Sequence, residues 1–315
     1  LLIRRSRGYV PRAVRLAAPV HTPVLGTGAL LKNTFCLASG AEAFLGPHIG
    51  DLENLETYRS LESSVARLSR FLDITPELVA CDLHPDYLST MFAEQQRLPL
   101  VRVQHHHAHI VSAMAEHGLA GPVIGVAYDG TGFGTDGTSW GGEVLLATPA
   151  RFERLATFRP LALLGGDAAV REPWRAAMAL LLDAWDGALP PDAEALLRHV
   201  DARARQAVET LLRQHVHVAQ ARGVGRYFDA FAALFLQRTR AAFEGQLALE
   251  WNQAVAPDRH GTYPFDLDLA RDPLEIDLRP TVRAAVADAA RGCGVAVIAA
   301  RFHDTLARAT SAVVY

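Results

Sequence analysis

Leu100-Val101-Arg102-Val103-Gln104-His105-His106-His107-Ala108-His109-Ile110-Val111-Ser112-Ala113-Met114 changes its periodicity within a few residues. Leu100 to Val103 is a short apolar run of strand length. From Gln104 to His117, Ile110, Val111 and Met114 recur at helical spacing. A strand passing straight into a helix is the unit from which α/β folds are built. The same alternation extends upstream. Leu55 to Leu72 sets Leu61, Val65, Leu68 and Leu72 on one helical face, Leu78 to Cys81 reads as a short buried strand, and Asp86 to Gln96 reads as helix. Before them, Pro23 to Leu31 and Asn33 to Ser39 read as paired strands, with Gly26 and Gly28 permitting a turn or a close approach. Downstream, Pro122 to Tyr128 is a buried strand, Asp129 to Gly137 is turn-rich, and Ser139 to Thr148 and Phe152 to Phe158 continue the sheet. Helix crossovers mixed with direct strand-to-strand returns predict an α/β fold with a mixed sheet.

From Ala168 the text becomes rich in Ala and Leu. Ala168 to Asp186, Asp192 to Val200 and Ala202 to Val218 read as helices, and Gly223 and Gly225 end the region. Helix resumes over Tyr227 to Arg240 and Gly245 to Val255, short strands over Thr262 to Leu269 and Leu274 to Leu278, and Pro280 opens a helix over Thr281 to Arg291. The last apolar pattern, from Ile298 to Val313, shows no stop signal, and together with the strand-like Leu1-Leu2-Ile3 it reads as a fragment. The expected organisation is an interdomain linker at 1–20, which includes the basic run Arg4 to Pro11. A first α/β lobe at 21–165, a helical insertion at 166–222 and the start of a truncated second lobe at 223–315 follow.

Composition limits the function. Half of the 315 residues are hydrophobic, enough to bury a large core. With 31 basic against 34 acidic residues the net charge is −3, so nucleic acid is not an expected partner. Cys36, Cys81 and Cys293 form no CxxC pair, which argues against a disulfide framework or a cysteine zinc site and for a reducing, cytoplasmic location. The apolar runs are too short to span a bilayer, so no membrane association is expected.

Two strings carry chemistry. In Gln104 to His109, His105 and His109 are four apart and share a helical face, so both imidazoles can address one ion, zinc or iron being the suitable metals. A solvated or capping histidine cluster has the same pattern, and the residue after His105 is His106, so the zincin motif is absent. In Asp129-Gly130-Thr131-Gly132-Phe133-Gly134 a carboxylate at a strand end precedes alternating glycines, whose N–H groups can face an anion. Asp129 is placed to complete a two-histidine metal set; a plain hairpin turn gives the same text. Lys32-Asn33-Thr34 offers a phosphate contact or a hairpin tip. Asp229, one turn past Gly225, suits ribose hydroxyls or a helix N-terminus. Cys36 and Cys81 lie in apolar runs and read as packing.

Together these strings resemble the HypF family of hydrogenase maturation carbamoyltransferases. Further matching text includes His48 to Glu53, Asp82-Leu83-His84-Pro85-Asp86-Tyr87, Trp140-Gly141-Gly142-Glu143, Gly165-Gly166-Asp167, Arg171 to Arg175, Gly225 to Asp229, Glu244-Gly245-Gln246 and Arg301-Phe302-His303. The resemblance runs in order through essentially the whole chain. It implies a two-lobed actin/hexokinase-like nucleotide-binding fold. It also implies carbamoyl transfer from carbamoyl adenylate, made upstream from carbamoyl phosphate and ATP, to the C-terminal cysteine thiolate of a HypE acceptor. Position by position, His105 and His109 match the family's divalent-metal ligands (zinc or iron), and Asp129, read above as completing the set, matches the aspartate that opens its glycine turn. Lys32, Gly130, Thr131, Gly132, Gly134, Gly225 and Asp229 fall at its adenine-nucleotide site, beside Asn33. An antibiotic O-carbamoyltransferase and a non-catalytic nucleotide-binding scaffold are the competing readings.

Overall fold

The structure, a computed structural model, describes residues 12–256, 258 and 260–315. It divides into two compact units. The first extends through Val123 and takes in Phe133–Thr135 and Ala147–Phe152; the second comprises Ile124–Gly132, Asp136–Leu146 and Glu153–Tyr315.

The first unit contains β1 (Val14–Gly26), β2 (Cys36–Leu45), α1 (Leu55–Leu72), β3 (Leu78–Asp82), α2 (Leu88–Gln95), β4 (Leu100–Val103) and α3 (His105–Glu116). Among the described residues its strands form a four-stranded sheet in the order β2-β1-β3-β4. β1 and β2 are antiparallel, whereas β1 with β3 and β3 with β4 are parallel. α1 forms where the sequence predicts. Asn54 caps it by accepting from Thr57 N at 2.9 Å, and Leu61, Val65 and Leu68 are buried on one face. These side chains join Leu25, Phe35 and Val79 in the unit's core. The parallel pairing sets Asp82 opposite Val103, so the C-terminal ends of β3 and β4 lie together. That end of a parallel sheet is where α/β folds place ligands.

The second unit contains β5 (Val123–Phe133, apart from its end residues), β6 (Ser139–Ala147), β7 (Phe152–Phe158), β8 (Leu161–Leu164), α4 (Asp167–Arg171), α5 (Trp174–Ala184), α6 (Pro191–Ala195), α7 (Ala202–Arg213), β9 (Val218–Ala221), α8 (Val224–Phe235), α9 (Gln246–Gln253), β10 (Asp266–Asp268), β11 (Leu274–Asp277), α10 (Arg279–Ala290) and α11 (Val295–Val314). Its sheet runs β10-β11-β7-β6-β9-β8, with β5 also paired to β6. Trp251, Phe231 and Phe302 are fully buried; the Phe231 and Phe302 rings are 4.2 Å apart, and both pack on Trp251.

The α/β class is as the sequence predicts, but the boundaries differ: most residues after Val123 in the first lobe expected at 21–165 belong to the second unit. The linker expected at 1–20 falls outside the described residues up to 11, but Val14 onward belongs to β1. The reason is that β2 continues to Leu45 and supplies a partner, Val14 opposite Ala43. The helical stretch expected at 166–222 is no separate insertion. It ends in β9, which lies between β6 and β8 in the sheet, and its Trp174, Leu181 and Val208 share the core with Phe231 and Phe302. The turn expected from Asp129 also comes later, because β5 runs on to Phe133. Reversal occurs around Asp136, whose Oδ1 accepts from Thr138 N at 3.0 Å, with Gly137 at φ 77°.

Candidate functional site

The histidine string divides by helical face. Gln104 is the N-cap of α3, accepting from His107 N at 2.9 Å, while its Nε2 donates to the Phe133 carbonyl at 3.2 Å. His106 is buried beside Gln104 Nε2, 3.1 Å from its Nδ1. His107 is also buried and donates from Nε2 to the Thr148 carbonyl at 2.7 Å. These two are structural. His105 and His109, four residues apart, stay partly open, and their Nε2 atoms are 3.2 Å apart. Zinc–imidazole bonds of about 2.0–2.1 Å in a tetrahedral arrangement separate two donors by roughly 3.3–3.4 Å. The pair therefore fits one cation. On its other side His105 Nδ1 lies 2.7 Å from Asp82 Oδ2, in a site where Asp82 is buried. In the sequence Asp82 stands only within the Asp82 to Tyr87 string; it closes β3, with α2 and β4 between it and the histidine helix, so nothing in the text pairs it with His105.

Lys32 and Asn33 lie in the loop between β1 and β2. Lys32 adopts φ 48°, and its N–H donates to Asp51 Oδ1 at 2.7 Å. Asn33 is buried, and its amide nitrogen donates to the carbonyls of Thr27 at 2.9 Å and Ala29 at 2.6 Å. Both amide hydrogens are thus committed, so Asn33 clasps the loop and has no donor left for a phosphate.

In the second unit Asp129 Oδ1 accepts from the Gly130 N–H at 2.6 Å, so that N–H points at its neighbour's carboxylate. Thr131 Oγ1 is 2.7 Å from Ser139 Oγ, and Gly132 is buried; Gly134, which belongs to the first unit, is buried too. Gly223 and Gly225 answer to close backbone packing against Gly130. A Cβ on Gly223 would lie 2.1 Å from the Gly130 carbonyl oxygen, and one on Gly225 would lie 2.8 Å from Gly130 Cα. The start of α8 therefore rests directly on the Asp129–Gly130 backbone. Arg226 follows, its Nη2 2.8 Å from where a Gly130 Cβ would stand, and its Nη1 2.8 Å from Asp229 Oδ2. Both members of that pair are buried. Burial pushes the Asp229 carboxyl above its ordinary range, against the opposing Arg226 guanidinium. Asp229 is turned onto Arg226, whose burial nothing in the Gly225 to Asp229 string marks.

The Kae1-like carbamoyltransferase second-subdomain model matches residues 125–315, and the HypF Kae1-like domain model matches residues 19–116. The chain belongs to the HypF family. It is 40% identical to carbamoyltransferase HypF2 of Cupriavidus necator, over 98% of this chain and 41% of that protein. It is 41% identical to carbamoyltransferase HypF of Rhizobium leguminosarum bv. viciae, over 96% of this chain and 38% of that one. A crystal structure of full-length HypF in its phosphate- and nucleotide-bound form superposes with a TM-score of 0.92 at 37% identity, over 98% of this chain and 40% of that chain. The chain thus spans about two fifths of the length of these HypF proteins. Among the described residues no helix is long and apolar enough to cross a membrane.

Proposed function

We propose that this chain carries out the carbamoyl-transfer step of a cytoplasmic HypF protein, moving the carbamoyl group of carbamoyl adenylate to the C-terminal cysteine thiolate of a HypE-like acceptor. An upstream adenylate-forming domain is the source of the donor. The observation that carries this reading is the pair of His105 and His109 Nε2 atoms, 3.2 Å apart on one helical face, in a chain of a carbamoyltransferase family. In this reading His105, His109 and Asp129 hold a divalent cation, zinc or iron. Such a cation, when bound, supplies Lewis acidity toward the carbamoyl carbonyl. Lys32, Thr131, Gly132 and Gly134 contact the adenylate. Gly225 lets α8 approach, and Asp229 acts through Arg226 as its counter-charge.

The acceptor sulfur forms a bond to the carbamoyl carbon, the bond from that carbon to the phosphate oxygen breaks, and AMP leaves with the electron pair. The nucleophile is external. Burial raises the Cys36 thiol to about 11 and raises Cys81 as well, so both stay protonated near neutrality.

The test incubates the chain with carbamoyl adenylate and HypE and reads the acceptor's mass. Gain of one carbamoyl group, lost in a His105→Ala/His109→Ala variant, is the expected result. Carbamoylation of an aminoglycoside hydroxyl in place of HypE would assign an O-carbamoyltransferase. Nucleotide binding without transfer to either acceptor would leave a scaffold.

A further inference from the structure

Asp82 has no part in the scheme above, yet both of its oxygens are engaged. Oδ1 accepts from His84 N at 2.9 Å, and Oδ2 meets His105 Nδ1 at 2.7 Å. Its side chain is 5% exposed and that of His105 15%. The surroundings hold it in place. Leu83 N donates to the Val103 carbonyl at 2.9 Å, Thr90 Oγ1 donates to the His84 carbonyl at 2.8 Å, and the His84 ring stacks on Tyr87 with centroids 4.1 Å apart. The placement follows from topology. Asp82 ends β3, its parallel partner Val103 ends β4, and His105 opens α3 two residues later. Capping the turn at His84 needs only Oδ1; the contact of Oδ2 with His105 is a second, separate commitment.

We infer that Asp82 is a positioning residue that fixes the tautomer and ring orientation of His105, holding the proton on Nδ1 so that the Nε2 lone pair faces the cation position shared with His109. The inference rests on the metal reading of the two histidines. A carboxylate only accepts hydrogen bonds, so Nδ1 must be the donor, and a neutral ring with its proton on Nδ1 carries a lone pair on Nε2, the atom that would ligate. Buried carboxylates behind ligating imidazoles hold them in this way, and losing one costs about 10- to 100-fold in metal affinity.

Asp82→Asn separates the roles. With its carbonyl kept on His84 N, the amide presents an N–H to His105 Nδ1 and drives the proton to Nε2, where it blocks ligation. Two-bond proton–nitrogen spectra of the metal-free chain, labelled at histidine and held where imidazoles are neutral, report the tautomer directly. The expected results are Nδ1–H for His105 in the unmutated chain and Nε2–H in Asp82→Asn. Zinc affinity, measured by competition with a chromogenic chelator, should fall about 10- to 100-fold in the variant. Nε2–H in the unmutated chain overturns the inference whether or not the variant folds, and so does unchanged zinc affinity in a folded Asp82→Asn protein. If the unmutated chain and the His105→Ala/His109→Ala variant bind zinc equally, the metal reading falls and takes the cation half of this inference with it. The spectrum would still decide the role of Asp82 in setting the tautomer.

Discussion

Glu143 Oε2 accepts from Arg154 Nε at 2.6 Å, and Glu143 is completely buried. Arg154 Nη2 donates to Thr157 Oγ1 at 2.9 Å, and Thr157 Oγ1 donates to Glu143 Oε1 at 3.2 Å. The guanidinium carbon sits 3.8 Å above the Trp140 ring. Gly141 and Gly142 aim their N–H groups at the same Oε1, at 3.3 and 3.4 Å. The network thereby holds the strand segment in which a Gly141 Cβ would lie 2.8 Å from the Asp129 carbonyl oxygen. A charge buried on β6 fixes the backbone behind a candidate metal ligand on β5.

Removing Arg154 leaves Glu143 charged, buried and uncompensated. Arg154→Met should cost about 3–5 kcal/mol, the range for breaking one side of a buried pair. Urea unfolding at neutral pH measures it. A loss below about 1 kcal/mol would mean that the carboxylate finds another partner.

Gly223→Ala tests the backbone contact under α8. The added methyl would meet the Gly130 carbonyl at 2.1 Å, with backbone on both sides and no flexible side chain to yield. Destabilisation of about 3 kcal/mol or more is expected, at or above the upper end for overpacking. Gly121→Ala is the control: nothing lies within 4 Å of its Cβ position, and its melting temperature should stay near that of the parent chain.

The features read correctly from sequence are those set by local pattern. α1 and β4 appear where periodicity placed them, and His105 and His109 share a face because four residues are close to one turn. What was not legible depends on partners distant in sequence. β9 is four residues of unremarkable text made into a strand by β6 and β8. Gly130 reads as a turn residue because glycine's use for turns and its use for close packing look alike in a string. Asn33 read as a phosphate donor because its burial, and the two carbonyls that claim its amide, come from the loop's closure. Asp82 and Arg226 escaped for the same reason, since one charged residue in an apolar context carries no sign of what it faces.

Burial raises the Cys36 thiol from its ordinary value of 9.0 to about 11, which links stability to alkaline pH. Between these values the unfolded chain releases this proton while the native chain keeps it. Stability is therefore complete below about pH 9 and is lost as pH rises through 11. The loss from this group is on the order of 2–3 kcal/mol. Cys36→Ala removes it, so the stability difference between the parent chain and the variant should move in the variant's favour from pH 8 to pH 11 in chemical denaturation. A constant difference would mean that the thiol titrates normally.

Lys32 and Asn33 are neighbours with opposite expected behaviour. Asn33→Ala strips the carbonyls of buried Thr27 and half-buried Ala29 of their donor and should cost about 1–3 kcal/mol. Lys32 occupies φ 48°, a conformation that costs an L-residue about 1–2 kcal/mol and glycine almost nothing. Lys32→Gly removes this strain but adds about 0.4–1 kcal/mol of unfolded-chain entropy, so a net gain of about 0–1.6 kcal/mol is expected. If the lysine is kept in that conformation to meet the adenylate, the same substitution should weaken AMP binding, by titration calorimetry, while thermal stability holds or rises. A chain that is both less stable and unchanged in AMP affinity would make Lys32 a structural residue, and the phosphate contact would have to be sought elsewhere.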